Sequence, residues 1–209
     1  MKPKAVSQAT RRVQRRYDCL ARALGRSAAL AAEGRASPWR RRLWESLPSG
    51  LVLEVGVGAG VNLSHYPREA NVVALDLSAA MLAEASERGT PAALLQADAQ
   101  HLPFRDGSFD GVVGSLVLCS VPSPLLALSE VRRVCKPGAR LVFLEHGRGG
   151  GLLGLLGPLM DLLDPLVERL AGGEHINRRQ QALLREAGCT VERVDSFIWG
   201  IVQLIRART

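Results

Sequence analysis

Glu54, three glycines at 56, 58 and 60, Asp76, Asp98 and His146 are the residues whose types and spacing can do chemistry. Residues 51–60 read Leu-Val-Leu-Glu-Val-Gly-Val-Gly-Ala-Gly, an apolar run that breaks at an acid and then at the glycine cluster. Leu51 to Val55 has the aliphatic, β-branched character of a buried strand, and glycines after a strand let the backbone turn sharply and approach a ligand closely. Asp76 follows a second apolar run, Val72 to Leu75, sixteen residues beyond Gly60. That is where a strand, glycine turn, helix and strand unit ends its second strand, and an acid there can hold a ribose. The chemistry indicated is the grip on a nucleoside-bearing cofactor.

Strands and helices that alternate must position these groups. Beyond Asp76 the pattern predicts a helix from Ser78 to Arg88 capped by Ser78, then a strand from Ala92 to Ala97 and another from Gly111 to Ser115. A helix from Pro124 to Cys135, a turn at Lys136-Pro137-Gly138 and a strand from Arg140 to Glu145 follow. Such alternation requires right-handed crossovers, so the expected fold is α/β, a doubly wound, Rossmann-like sheet with helices on both faces. Asn177 to Ala187 reads as a helix. Thr190 to Ile198 and Ile201 to Arg208 read as two strands turning at Trp199-Gly200, which makes the end of the sheet an antiparallel hairpin. Ligands of such sheets bind outside the strand carboxyl ends. The site candidates are therefore Glu54 to Gly60 (with Val57 between the first two glycines), Asp76, Asp98 with Ala99, Ser115 to Leu118, and Glu145 with His146.

Length and charge narrow the possibilities. At 209 residues the chain suits one well-buried domain with additions, not separate cofactor and substrate domains. Residues 1–50 carry 12 Lys/Arg against 3 Asp/Glu, whereas 51–209 carry 15 against 17, so the basic character belongs to the N-terminal segment. The expected division is a basic helical segment over 1–50 and a cofactor domain over 51–209. From Val6 to Ala32, Val13, Tyr17, Leu20, Leu24, Ala28 and Ala31 recur at helical spacing, with arginines off that stripe. Gly34 to Pro38 is expected to break the helix, and Trp39 to Leu47 to form a second. The basic helix is either a lid on the domain or a peripheral contact with an anionic membrane surface. Residues 147–173 form an apolar, glycine-rich insertion, either over a hydrophobic substrate or as buried helices. The four cysteines form no Cys-x-x-Cys pair and no ligand spacing with the four histidines, so no metal is expected. The start has no apolar core after its charges, and the expected location is cytoplasmic, with reduced thiols.

Two competing motifs fit less well. A dinucleotide fingerprint wants its third glycine one position later, where Val61 stands, and no Gly-Lys-Ser/Thr follows for a phosphate loop. Taken together, Glu54-Val-Gly-Val-Gly-Ala-Gly60, Asp76, Asp98-Ala99, Leu102-Pro103-Phe104 through Ser108-Phe109-Asp110, and Val134-Cys-Lys-Pro-Gly138 resemble the successive motifs of class I S-adenosylmethionine-dependent methyltransferases. The likeness covers roughly Leu51 to Glu145. Within that superfamily, Leu116-Val-Leu-Cys-Ser-Val121, Glu145-His146 and the insertion resemble the small bacterial phospholipid N-methyltransferases and the methyltransferase-like thiol methyltransferases, with quinone C-methyltransferases as more distant relatives.

The resemblance implies S-adenosyl-L-methionine as cofactor and a small or amphipathic acceptor, a phospholipid amine or a thiol. It implies that Asp76 accepts from both ribose hydroxyls, that Gly56 and Gly58 lie against the methionine portion, and that Glu54 stands near its ammonium. Asp98 would take the adenine amino group and the Ala99 amide a ring nitrogen, with Leu77, Met81 and Leu102 as candidates to sandwich the base. Gly60 completes the loop and Ser115 the opposite wall. Methyl transfer then needs a positioned nucleophile and a proton acceptor. His146, after a strand carboxyl end, is the candidate base, with Tyr17 and His175 reaching in from outside. Nucleic acid is the competing acceptor class on the arginine-rich start, but the chain has only nine aromatics for stacking and lacks the Asn/Asp-Pro-Pro-aromatic box. The sequence sets neither the acceptor nor an oligomeric state.

Overall fold

The computed structural model describes residues 7–89, 92–147, 162, 164, 175 and 178–209, with the backbone alone over 24–37. Most of the expected insertion at 147–173 lies outside the described residues. Among the described residues seven strands form one sheet: β1 (Leu51–Val55), β2 (Asn71–Asp76), β3 (Ala93–Gln96), β4 (Phe109–Ser115), β5 (Cys135–His146), β6 (Thr190–Phe197) and β7 (Val202–Arg208). Their order is β3-β2-β1-β4-β5-β7-β6. The first five pair parallel, while β7 lies antiparallel to both β5 and β6. The direction of winding reverses between β1 and β4, which opens the crevice where such sheets take ligands.

Alternation along each strand sorts the core into two faces. Leu53, Val55, Val112, Leu141, Phe143 and Ile205 belong to one cluster, which α3 (Pro124–Val134) and α4 (Gln180–Glu186) cover with Leu128, Val131 and Leu184. Val52, Val113, Val142, Leu144 and Leu204 face the other way, against Leu43 and Trp44 of α1 (Gln8–Glu45) and Leu82 of α2 (Ala79–Glu87). Ser78 caps α2, its hydroxyl accepting from the Met81 amide at 3.1 Å.

The N-terminal helix differs from the sequence expectation. Gly34 to Pro38 does not divide it, and Pro38 lies inside one helix of 38 residues. An interior proline costs about 3 kcal/mol through its missing donor and its clash with the preceding turn. The residues that follow it offset this by burial. Leu43 and Trp44 are 0% and 2% exposed, each contributing roughly 1.5–3 kcal/mol, and Trp39 stacks on Phe197 at 5.2 Å. At its start Ser7 caps the helix, its Oγ accepting from the Thr10 amide at 3.0 Å. Strand β5 also begins earlier than expected. Cys135 pairs with Phe109 before the chain bulges through Pro137 and Gly138 and resumes the ladder at Arg140.

Candidate active site

A cavity of about 370 Å³ lies at the carboxyl ends of β1, β2 and β4, under the first half of α1. Its floor is the glycine loop. The amides of Gly56 and Val57 both donate to the Leu75 carbonyl, at 2.9 and 3.0 Å, which folds the chain back over the end of β2. Gly56 and Gly58 adopt positive φ, 73° and 55°. A Cβ on Gly56 would strike Val117 at 2.8 Å, while one on Gly58 would meet nothing within 4 Å. The space in front of Gly58 is open to a ligand.

Asp76 stands beside that space as a built acceptor. One carboxylate oxygen accepts from the Gly58 amide at 2.9 Å and the other from the Ser78 amide at 2.8 Å. Burial raises its carboxyl pKa above the ordinary value, while the Ser78 and Gly58 amides oppose the rise. Each oxygen keeps a lone pair, so the group can still receive two hydroxyls. Leu77, Met81, Asp98 and Ala99 line the same end of the cavity. Asp98 is oriented by Gln100, whose backbone amide and side-chain Nε2 donate to its Oδ1 at 2.9 and 3.0 Å. Gln100 also reaches Thr10 of α1 at 3.2 Å and receives the Ser123 amide at 3.0 Å, which ties helix, turn and α3 together.

Tyr17, Ser115 and His146 line the cavity with these groups. Val13, Leu20 and Ala21 of α1 line it too, so the apolar stripe of the basic helix closes over the cavity. Arg11, Arg12, Arg15 and Arg22 are exposed. Asp18 of the same helix accepts from the Ser78 hydroxyl at 2.5 Å and fastens the helix to the start of α2.

Four expected site residues stand elsewhere. Glu54 is fully buried behind the glycine loop and does not line this cavity; it accepts from Asn62 Nδ2 at 2.5 Å and from the Tyr66 hydroxyl. Burial pushes its carboxyl up to about 7, against the lowering pull of Asn62, Tyr66 and Arg40. Gly60 serves packing, since a Cβ there would strike Leu63 at 2.6 Å and the Ala85 backbone at 3.1 Å. Leu102 belongs to the core. Its amide donates to Glu130 at 2.8 Å, and Arg133 holds its carbonyl at 2.9 Å, together with the Phe104 carbonyl at 2.8 Å and Asp106 at 2.7 Å. The Leu102-Pro103-Phe104 motif is thus a strap onto α3. His175 does not line the cavity either; its ring pairs with Asp164 at 2.9 Å.

Arg40, which no spacing marks, and Glu145, already a candidate at the end of its strand, shape the site. Arg40 is buried and lines the cavity wall, and its guanidinium donates to Asn62 Oδ1 at 2.7 Å and Ser115 Oγ at 2.8 Å. Through Asn62 it joins the network around Glu54. No local pattern singles it out within the run Arg40-Arg41-Arg42. Glu145 is fully buried, and its Oε1 accepts from the Val117 and Leu118 amides, each at 2.9 Å. It thereby fixes the wall after β4, where Leu116 is held at φ 55°. Burial pushes Glu145 up to about 7, opposed by those amides and by Arg178. Its signal was present in the sequence as an acid at the end of an apolar strand.

Comparison with known proteins agrees with this architecture. A methyltransferase domain family matches residues 53–143. Demethylmenaquinone methyltransferase of Beutenbergia cavernae is 35% identical over 192 residues, covering 81% of this chain and 79% of that one. Phosphatidylethanolamine N-methyltransferase of Cereibacter sphaeroides is 40% identical over 103 residues, 46% of this chain and 51% of its own length, so this chain spans about half of that relative. Among solved structures, a possible histamine N-methyltransferase from Thermotoga maritima has a TM-score of 0.70 at 20% identity, covering 93% of this chain and 98% of that one, a likeness of fold. With the glycine loop, the Asp76 acceptor and the β7 antiparallel strand in place, the chain belongs to the class I S-adenosylmethionine-dependent methyltransferases.

Proposed function

We propose that this methyltransferase acts on an amphipathic acceptor, the amine of a phospholipid or a thiol, with His146 receiving the proton that the nucleophile loses. The observation that carries the reading is that His146 and Tyr17 line the same apolar-walled cavity as Asp76 and Gly58. S-adenosylmethionine, when bound, supplies an electrophilic methyl group on a positively charged sulfur. The remaining tasks belong to the chain. Asp76 would receive the ribose hydroxyls, and Leu77, Met81, Asp98 and Ala99 would hold the adenine. The buried guanidinium of Arg40 complements a carboxylate at the methionine end. Val13, Leu20, Val57 and Val117 exclude water and give an acyl chain or other apolar body a wall to lie against. An imidazole at the end of β5 offers a ring nitrogen that can accept the proton.

A quinone ring carbon is the second reading, favoured by the greater span of the alignment with the menaquinone enzyme. Labelled S-adenosylmethionine offered with phosphatidylethanolamine, an alkyl thiol, a demethylated quinol and RNA separates them. Label in the lipid amine or the thiol is the expected result. Label in the quinol or RNA alone would replace the proposal.

A further inference from the structure

The tip joining β6 to β7 is built against the usual rules for a turn. Ile198 and Trp199 hold φ values of 47° and 53°, in the left-handed region, and are 52% and 79% exposed. A β-branched residue in that conformation is a backbone outlier, and asparagine or glycine would relieve it. Ile201 adds a third exposed apolar side chain at 40%. The run from Phe197 to Val202 contains no charge. Strain and exposure at the same two bulky residues mean that folding does not account for their identity. Side chains kept outward at such a cost mark a surface that meets something.

The tip is also fixed to the edge of the active site. His146 pairs with Val202, and the Gly147 amide donates to the Ile201 carbonyl at 2.7 Å. A Cβ at residue 147 would strike the Gly200 carbonyl at 2.2 Å, so glycine there permits the close approach. Beneath the tip, Phe197 stacks on Trp39, and the guanidinium of Arg42 lies 5.8 Å from its ring. Arg42 is exposed. An indole flanked by aliphatic side chains, with a cation one layer behind, matches the order of a bilayer surface, in which the apolar region lies beneath anionic headgroups.

We propose that Ile198, Trp199 and Ile201, backed by Arg42, form a docking surface for an anionic lipid bilayer that brings the His146 side of the cavity to the membrane. The inference rests on the amphipathic-acceptor reading and gives that acceptor its source, a bilayer. An exposed tryptophan with two aliphatic neighbours enters the interface by its apolar area, and the arginine makes the contact selective for negative lipid.

The test is flotation of the full chain with vesicles of phosphatidylcholine containing one quarter phosphatidylglycerol, and with phosphatidylcholine alone. The protein is expected to float with the first and far less with the second. The double variant Ile198→Asn, Trp199→Asn suits the left-handed turn, so its melting temperature should equal or exceed that of the wild type and its cofactor affinity should match it, while the bound fraction drops about tenfold. Arg42→Glu should abolish the preference for anionic vesicles. Unchanged flotation of the asparagine variant overturns the proposal, as does a wild type that ignores both vesicles. A dimer that the asparagine variant dissolves would instead assign the tip to a second copy. Failure of the acceptor reading has a different appearance: protein that floats and transfers no methyl to lipid amine or thiol.

Discussion

The Asp76 end and the His146 end of one cavity are assembled by different means. At the first, Asp76 is held by amides 18 and 2 residues away, and Asp98 by Gln100 two residues on. At the second, Glu145 fixes the wall from 27 and 28 residues away, Arg40 reaches Ser115 across 75, and the β6–β7 tip closes on Gly147 from the far end of the chain. A short-range site can be carried intact through many relatives, because a strand, a glycine turn and an acid travel together. A long-range wall depends on how distant segments meet, and it is there that acceptor choice is free to change.

The sharpest way to break the contrast is to remove one group from each end. His146→Ala should lower turnover by about a hundredfold or more, the usual worth of a positioned proton acceptor, with cofactor affinity retained. Full turnover across the pH range would leave His146 as a wall residue. Asp76→Ala should weaken S-adenosylmethionine binding by about tenfold or more, from a charged hydrogen bond worth roughly 1.5–3 kcal/mol. Unchanged affinity by calorimetry would remove the ribose assignment. Arg40→Met stands between the two ends, since it touches both the Glu54 network and Ser115. It should raise the cofactor dissociation constant severalfold while apolar burial of the stem keeps the helix docked. An effect on acceptor KM alone would place Arg40 with the other wall.

The same division explains what the sequence disclosed. Leu51 to Gly60, Asp76 and the Ser78 cap were legible because their physics is local: strand periodicity, a turn that needs positive φ, and a cap three residues from its donor. Glu54 and Leu102 sit in motif positions yet face inward, onto Asn62 and Tyr66 in one case and into the core beside Glu130 in the other. Spacing fixes where a residue falls along the chain, whereas the direction its side chain takes depends on partners folded in from elsewhere. Pro38 was read as a helix end from its own stereochemistry. The burial of Leu43 and Trp44, invisible locally, outweighs it.

The smallest effect concerns stability and falls on Glu145. Its carboxyl is pushed from the ordinary 4.5 up to about 7 by burial, chiefly against the Val117 and Leu118 amides. The native chain therefore holds a proton that the unfolded chain has released between about pH 4.5 and 7. Stability must fall as pH rises through that window. Glu54, also pushed up to about 7 by burial, has the same sign. Asp110, Glu130 and Asp195 are lowered by hydrogen bonds to Lys136, Arg133 and Arg206. Their contribution is present above the unfolded value and lost in acid below it, so the two windows do not overlap. Glu145→Gln keeps an acceptor for the two amides and removes the titration. The fall in melting temperature between pH 5 and 8 should then shrink by roughly 5 °C, at about 2–4 °C per kcal/mol for a chain of this size. The Glu54→Gln change should flatten the same slope without touching acceptor KM, because Glu54 lies behind the glycine loop and Glu145 beneath the acceptor wall. An unaltered slope in both variants would mean that neither carboxyl carries a proton into the folded state, and the wall after β4 would then rest on an ionised group.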